Sequence, residues 1–289
     1  MFTIALKQEQ YLTYIISDPK SQSRLEVVPE RGGLITSWRI QGQNILYLDE
    51  SRFTNPELSV RGGIPILFPI CGNLPDNVYT YNGKKYTLKQ HGFARDLPWE
   101  VTKQDTQEDS ASITLTLSSN KKTRAVYPFE FQLIFKYILE GKKLTIQQTY
   151  INDSKQPMPF STGLHPYFWV REKSNLSFEI PATQYQDQNT KEKHNVTGEF
   201  FDLNTEEIDV AFAPLSGNST SFTDNQRNLQ VKMNYSSIYS TVVFWTVQGK
   251  DYICLEPWSA PRNSLNTGEN LTTLEPGTSK EAVVEMLVS

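Results

Sequence analysis

The chain contains three histidines, and two of them stand in segments suited to holding a ring in one orientation: Gln90-His91-Gly92-Phe93-Ala94-Arg95 and Gly163-Leu164-His165-Pro166-Tyr167-Phe168. Glycine allows turns that other residues avoid, proline fixes φ, and the flanking aromatics supply a packed wall. An imidazole so placed can exchange a proton near neutral pH, and each of the two serves equally as a structural, hydrogen-bonded histidine or as a general acid or base. The carboxylate to set beside them is Glu256, which follows Tyr252-Ile253-Cys254-Leu255 and precedes Pro257-Trp258. An acidic group there is a strand end reaching solvent, a paired buried charge or a working carboxylate. Arg61 heads Arg61-Gly62-Gly63-Ile64-Pro65, which runs on to Phe68-Pro69. Its planar fork suits a carboxylate, a phosphate, sugar hydroxyls or a surface ion pair. The glycine pair is no phosphate loop, because the spacing and the terminal Lys-Ser/Thr are missing.

The elements that must position these groups are strands. Ile113, Leu115 and Leu117 alternate with Thr114 and Thr116, and Phe131, Leu133, Phe135, Tyr137 and Leu139 repeat the pattern, so each run packs one face inward. Leu144 and Ile146 follow Glu140-Gly141, and the stretch from Phe131 to Ile151 therefore reads as a long hairpin. Asn82-Gly83 separates two tyrosine-rich runs and predicts a second hairpin with a type I′ turn. Further strands are expected over Leu34 to Ile40, Leu176 to Ile180, Leu229 to Met233, Thr241 to Thr246, Tyr252 to Leu255 and Ala282 to Leu287. No amphipathic helix of three turns stands out. The pattern predicts an all-β, large antiparallel β-sandwich rather than an alternating α/β fold. With no repeat or linker, residues 1–289 are expected to form one domain, within reach of the roughly 200–250 residues that large sandwiches use. The polar stretch from Gln184 to His194 reads as a surface loop that approaches the site.

At this point four motifs, in order, carry a resemblance. Arg61 to Pro65 with Phe68-Pro69, Gln90 to Arg95, Gly163 to Phe168, and Cys254-Leu255-Glu256-Pro257-Trp258 together make the chain resemble the aldose 1-epimerase (galactose mutarotase-like) family, in its hexose-6-phosphate epimerase-like branch. The resemblance implies a β-sandwich of the galactose mutarotase type, with a sugar in an open groove across one sheet. It implies His165 as catalytic acid and Glu256 as base, and places Arg61, Gln90, His91 and Arg95 in contact with substrate. It also implies a substrate-binding aspartate between the histidine and the glutamate; Asp209 matches best, with Asp202 and Asp187 as competitors.

The chemistry implied is interconversion of α and β anomers of a hexose or hexose 6-phosphate. The hemiacetal opens when a carboxylate takes the O1 proton and an imidazolium protonates the ring oxygen, and it recloses with the roles reversed. No cofactor or metal is needed. Trp258, Tyr167 or Phe93 would pack on the C–H face of the sugar, with Phe93 expected to be core. A non-catalytic carbohydrate-binding or sugar-sensing protein on the same fold is the alternative. A glycoside hydrolase would leave the histidine motifs without a role, and no close pair of His, Asp and Glu has metal-ligand spacing.

Composition narrows the partners. A formal net charge of −4, with no lysine/arginine cluster longer than a pair, argues against nucleic acid. Lys7, Gln8, Glu9 and Gln10 stand where a signal peptide would need its apolar core, so a cytoplasmic protein off the membrane, a monomer or weak homodimer, is expected. Two cysteines, Cys71 and Cys254, are too few for a disulfide framework and read as buried thiols. Cys254 stands two residues before Glu256, so period-two alternation puts both side chains on one face of a strand.

Overall fold

A computed structural model describes residues 1–196, 202–203 and 205–289. Strands dominate, and all named strand pairs are antiparallel. Among the described residues the α-helices are short: Glu50–Thr54, Lys121–Val126 and Ser264–Thr267. None is long and apolar enough to cross a membrane.

The alternating runs behave as their pattern dictates. Phe131–Glu140 alternates buried and half-buried side chains without interruption and pairs with Lys143–Asn152. The turn between them is Gly141-Lys142, one residue later than expected, because Glu140 still pairs with Lys143. Asn82 and Gly83 take φ of 48° and 75° between Val78–Tyr81 and Lys84–Thr87, the left-handed values a type I′ turn requires. The long hairpin sits in an eight-stranded sheet running from Leu176–Glu179 to Glu100–Thr106, and a five-stranded sheet is built from residues 3–44.

The site belongs to another sheet. Its order is Lys193–Asn195, Gln184–Asp187, Glu207–Phe212, Thr241–Val247, Tyr252–Trp258, Gly163–Leu164 and Ile66–Leu67, with Tyr167–Trp169 also pairing on Tyr252–Trp258. One face is apolar: Ile208, Val210, Phe212, Val242, Phe244, Ile253 and Leu255 all enter the main core. Strand alternation then sends Asp209, Trp245, Cys254 and Glu256 to the opposite face, which carries its own two small apolar clusters around Trp258 and around Tyr167 and Tyr252.

Two expectations change. The stretch from Gln184 to His194 is a hairpin at the sheet edge rather than an irregular loop. Asp187 Oδ1 accepts from the amides of Asn189 and Thr190, both at 2.8 Å, and this side-chain turn folds a polar sequence that shows no apolar alternation. The strand ending at Glu256 instead continues through Pro257 to Trp258. Proline removes one donor from the ladder, yet Val242 still pairs with Pro257 and Thr241 with Trp258, so Glu256 lies inside a strand.

The Arg61-Gly62-Gly63 segment is shaped by close backbone approach. A Cβ on Gly63, at φ of 64°, would lie 2.1 Å from the Ile35 carbonyl oxygen, and the amide of Ile64 donates to that same oxygen at 2.9 Å. Only glycine lets the chain pass there.

Candidate active site

One cavity of about 360 Å³ is lined by His165, Glu256, Arg61, Gln90, His91, Arg95 and Asp209, and thus gathers all seven residues singled out from the sequence. Its size suits a small molecule, since ligand pockets run from about 300 to 1,000 Å³. Tyr167 and Trp258 line it as well. Phe93 does not; its ring packs against Phe68 and Phe131 as ordinary core.

At its centre His165 Nε2 and Glu256 Oε1 are 3.2 Å apart. Both groups are buried, His165 at 7% and Glu256 at 1% exposure, which excludes the solvent-reaching reading of the glutamate. Trp258 Nε1 donates to Glu256 Oε2 at 3.0 Å. This leaves Oε1 to face the imidazole. The His165 ring stacks on Tyr167 at 4.6 Å and 9° and meets the edge of Trp245, so packing fixes its plane.

Burial sets the protonation of this pair. It pushes the His165 imidazole down to about 3, with the Arg95 charge acting in the same direction. It raises the Glu256 carboxyl well above its usual range, helped by the Asp209 charge, while the Trp258 hydrogen bond and the Arg262 and Arg95 charges oppose. Burial thus disfavours charge on both groups, and a proton available to the pair is better placed on Glu256 than on His165. The imidazolium that the resemblance implies as proton donor is disfavoured by these low-dielectric surroundings while the cavity holds no sugar.

His91 has a different task. Its backbone is left-handed at φ of 65°, and its Nδ1 accepts the Gly72 amide at 3.1 Å. Burial, with Arg95, holds the ring well below its ordinary value, so the neutral ring carries its hydrogen on Nε2 and can donate it. Arg95 donates from Nη2 to the Gln90 carbonyl at 2.9 Å, which ties these two residues together. Arg61 lies over the Trp245 ring at 5.6 Å.

Asp209 is the aspartate that reaches the cavity, whereas Asp187 is spent on its turn and neither it nor Asp202 lines the site. Asp209 Oδ2 accepts from Arg262 Nη2 at 2.7 Å. Its Oδ1 is buried without a hydrogen-bond partner among the described residues and is left for a donor in the cavity. Burial raises the Asp209 carboxyl and Arg262 opposes that rise.

Arg262 is the main residue that sequence reading missed. Besides Asp209 it donates to Asn73 Oδ1 at 3.0 Å and lies over Trp258 at 5.7 Å. Arg52, Glu207 and Trp245 also line the cavity; Trp245 Nε1 donates to Glu207 Oε1 at 2.7 Å. The one available signal for Arg262 was its place four residues after Trp258. Replacing Arg262 with Met is expected to raise KM about tenfold with a smaller change in kcat, since Asp209 loses the hydrogen bond and the charge that oppose the rise of its carboxyl. Steady-state kinetics on the Arg262→Met variant measure this; a pure loss of kcat would contradict it.

His165, Cys254 and Glu256 bring ligand atoms within 4.8 Å of one another, in line with the shared strand face expected of Cys254. The thiol is buried and raised well above its ordinary value by desolvation, with Glu256 adding to the effect, so it is no nucleophile. Arg52, Arg61, Arg95 and Arg262 on the same cavity make it a poor seat for a dication.

Comparisons with known proteins bear on this geometry. The family model "Aldose 1-epimerase" matches residues 16–287. The chain is 52% identical to the crystal structure of the Slr1438 protein from Synechocystis sp. PCC 6803, with a TM-score of 0.95 over 100% of this chain and 99% of that one. A galactose mutarotase-like protein from Clostridium acetobutylicum shares the fold at 22% identity and a TM-score of 0.86, covering 100% and 98% of the two chains. The plasmid protein LacX of Lactococcus lactis subsp. lactis is 24% identical over 268 residues, 83% of this chain and 86% of its own length.

Proposed function

Because this chain belongs to the aldose 1-epimerase family, with the galactose mutarotase-like fold, we propose that it interconverts the α and β anomers of a hexose or hexose 6-phosphate, using Glu256 and His165 to move the two protons. The observation that carries this reading is the contact of 3.2 Å between His165 Nε2 and Glu256 Oε1, in a sugar-sized cavity lined by hydrogen-bonding groups.

Transfer of the shared proton across that contact gives carboxylate and imidazolium. Glu256 then takes the proton from O1 while His165 gives its proton to the ring oxygen; the C1 to ring-oxygen bond breaks and C1 becomes a carbonyl. Rotation about C1–C2 presents the other face. Reclosure returns both protons, so the pair ends as it began and nothing is oxidised or reduced. Asp209 Oδ1 and His91 Nε2 hold hydroxyls, and Trp258 and Tyr167 offer apolar faces to the C–H surface.

The arginines bear on substrate class. Arg52, Arg61 and Arg95 line the cavity, and guanidinium forks form charge-assisted pairs with phosphate, which favours a hexose 6-phosphate over the free sugar. Exchange NMR on glucose, galactose and their 6-phosphates tests the assignment, with anomerisation faster than buffer as the expected result. Arg61→Ala is expected to raise KM for the phosphosugar by about tenfold to a hundredfold and to leave the free sugar nearly unchanged. Equal loss for both sugars would remove the phosphate role, and no acceleration of any sugar would remove the epimerase assignment for these substrates.

A further inference from the structure

Arg31 stands outside the cavity, yet its side chain is 94% withdrawn from solvent, at 6% exposure, and its guanidinium is spent on one short stretch of backbone. Nε donates to the Phe53 carbonyl at 3.2 Å, and Nη2 reaches the carbonyls of Leu58 at 2.5 Å, Asn55 at 2.9 Å and Arg52 at 3.4 Å. These partners are neutral carbonyls. A buried charge held by carbonyls costs desolvation without the return of an opposite charge, so packing economy does not account for it.

What the guanidinium fills is the inside of a loop. From Glu50 to Ser59 every side chain is exposed or half-buried, and the helix Glu50–Thr54 has no buried residue. The loop is closed at its base, where the Asp49 amide donates to the Arg61 carbonyl at 2.9 Å. Two further ties come from the bend between strands Thr3–Gln8 and Leu12–Asp18: Gln10 Nε2 donates to the Thr54 carbonyl at 2.7 Å, and Tyr11 meets the Phe53 ring edge-on. With no apolar core of its own, such a loop would sample many conformations. It nonetheless delivers Arg52, Ser59, Val60 and Arg61 to the cavity.

The segment around Arg31 also seats the chain that carries Arg95, a further arginine of the cavity. A Cβ on Gly32, at φ of 78°, would lie 2.1 Å from the Arg95 carbonyl oxygen, so the backbone carrying Arg95 rests directly on the residue after Arg31. The Pro29 carbonyl accepts the Trp99 amide at 3.0 Å, and Trp99 Nε1 donates to the Ala94 carbonyl at 3.0 Å. Residues 29 to 33 therefore join the loop bearing Arg52 to the segment bearing Arg95.

We propose that Arg31 is a positioning residue, whose guanidinium sets the loop from residue 50 to residue 59 and thereby fixes Arg52 and Arg61 on the cavity that Arg95 also lines. It touches no substrate and moves no proton. Its effect falls on substrate capture, and in that respect the inference rests on the function proposed above.

Hydrogen exchange and kinetics on the full-length protein test it together. In Arg31→Met the amides of residues 50 to 59 should lose protection while those of the central strands keep theirs, and KM for the hexose 6-phosphate should rise about tenfold or more with kcat within about threefold. Arg31→Lys, which keeps the charge but not the planar fork, should recover part of both effects, and it serves as the probe if the Met variant does not fold. Unchanged protection of residues 50 to 59, or a fall in kcat at constant KM, would overturn the proposal. If the wild type accelerates no sugar, the epimerase reading fails alone, since the exchange measurement still decides the role of Arg31.

Discussion

Glu256→Gln is expected to reduce anomerisation by about 10²- to 10⁴-fold, the usual worth of a positioned proton-transfer group, with the cavity intact. Glutamine keeps the shape and can still accept the Trp258 Nε1 hydrogen bond, which is 3.0 Å long in the native protein. It cannot take a proton from O1. The loss should fall on kcat if Glu256 acts on the reacting atoms as proposed. Full activity in Glu256→Gln would move the base elsewhere.

The same substitution should change stability in a pH-dependent way. The Glu256 carboxyl is raised well above 4.5 by burial, so above that pH the folded protein holds a proton that the unfolded chain has released. Stability from this group is fully present below the unfolded value and is lost as pH rises through the folded one. Glutamine carries no such dependence. The melting temperature of Glu256→Gln should therefore gain on the wild type as pH is raised from about 5 to about 8. A constant difference across that range would mean that Glu256 is not raised.

His165→Ala should cost a similar factor of about 10² to 10⁴ in rate, and it probes the shared proton. The imidazole is depressed to about 3, below its ordinary 6.5, so the wild-type pair takes up a second proton only in strong acid. In wild type kcat/KM should thus hold steady as pH falls through 6.5, and its acid limb should lie near 3, while the alkaline limb follows loss of the shared proton from the raised carboxyl. An acid limb near 6.5 would show that His165 titrates as a free imidazole. The stability contribution runs the other way from that of Glu256: it is present above the unfolded value of 6.5 and is lost as pH falls toward about 3. Between about 4.5 and 6.5 the two slopes oppose each other, because one proton moves from the histidine of the unfolded chain to the glutamate of the folded one.

Much of the fold was legible because strands announce themselves locally. The buried set Phe131, Leu133, Phe135, Tyr137 and Leu139 is the alternation read from the sequence, and the Asn82-Gly83 turn follows from the conformations those two residues tolerate. The hairpin from Gln184 to Asn195 was missed because a side-chain turn at Asp187, not hydrophobic alternation, folds it. The Tyr252–Trp258 strand was cut short at Pro257 because proline signals an end when its neighbours' pairing is unknown.

The site divides along the same line. Residue types near turns and strand ends, read beside a family resemblance, were enough to choose His165, Glu256, Arg61, Gln90, His91, Arg95 and Asp209. Tertiary structure alone brought His165 to Glu256 across 91 positions of chain, and Arg262 to Asp209 across 53. It also set the direction in which burial shifts the two groups. The affinity of a carboxyl or an imidazole for a proton depends on the water it has lost and the charges around it, and neither is written in the residues beside it. Sequence supplied the two candidate proton-transfer groups and the strand that presents one of them; the packed sheet face supplied the contact between them and the dry surroundings that favour a proton on Glu256 over one on His165.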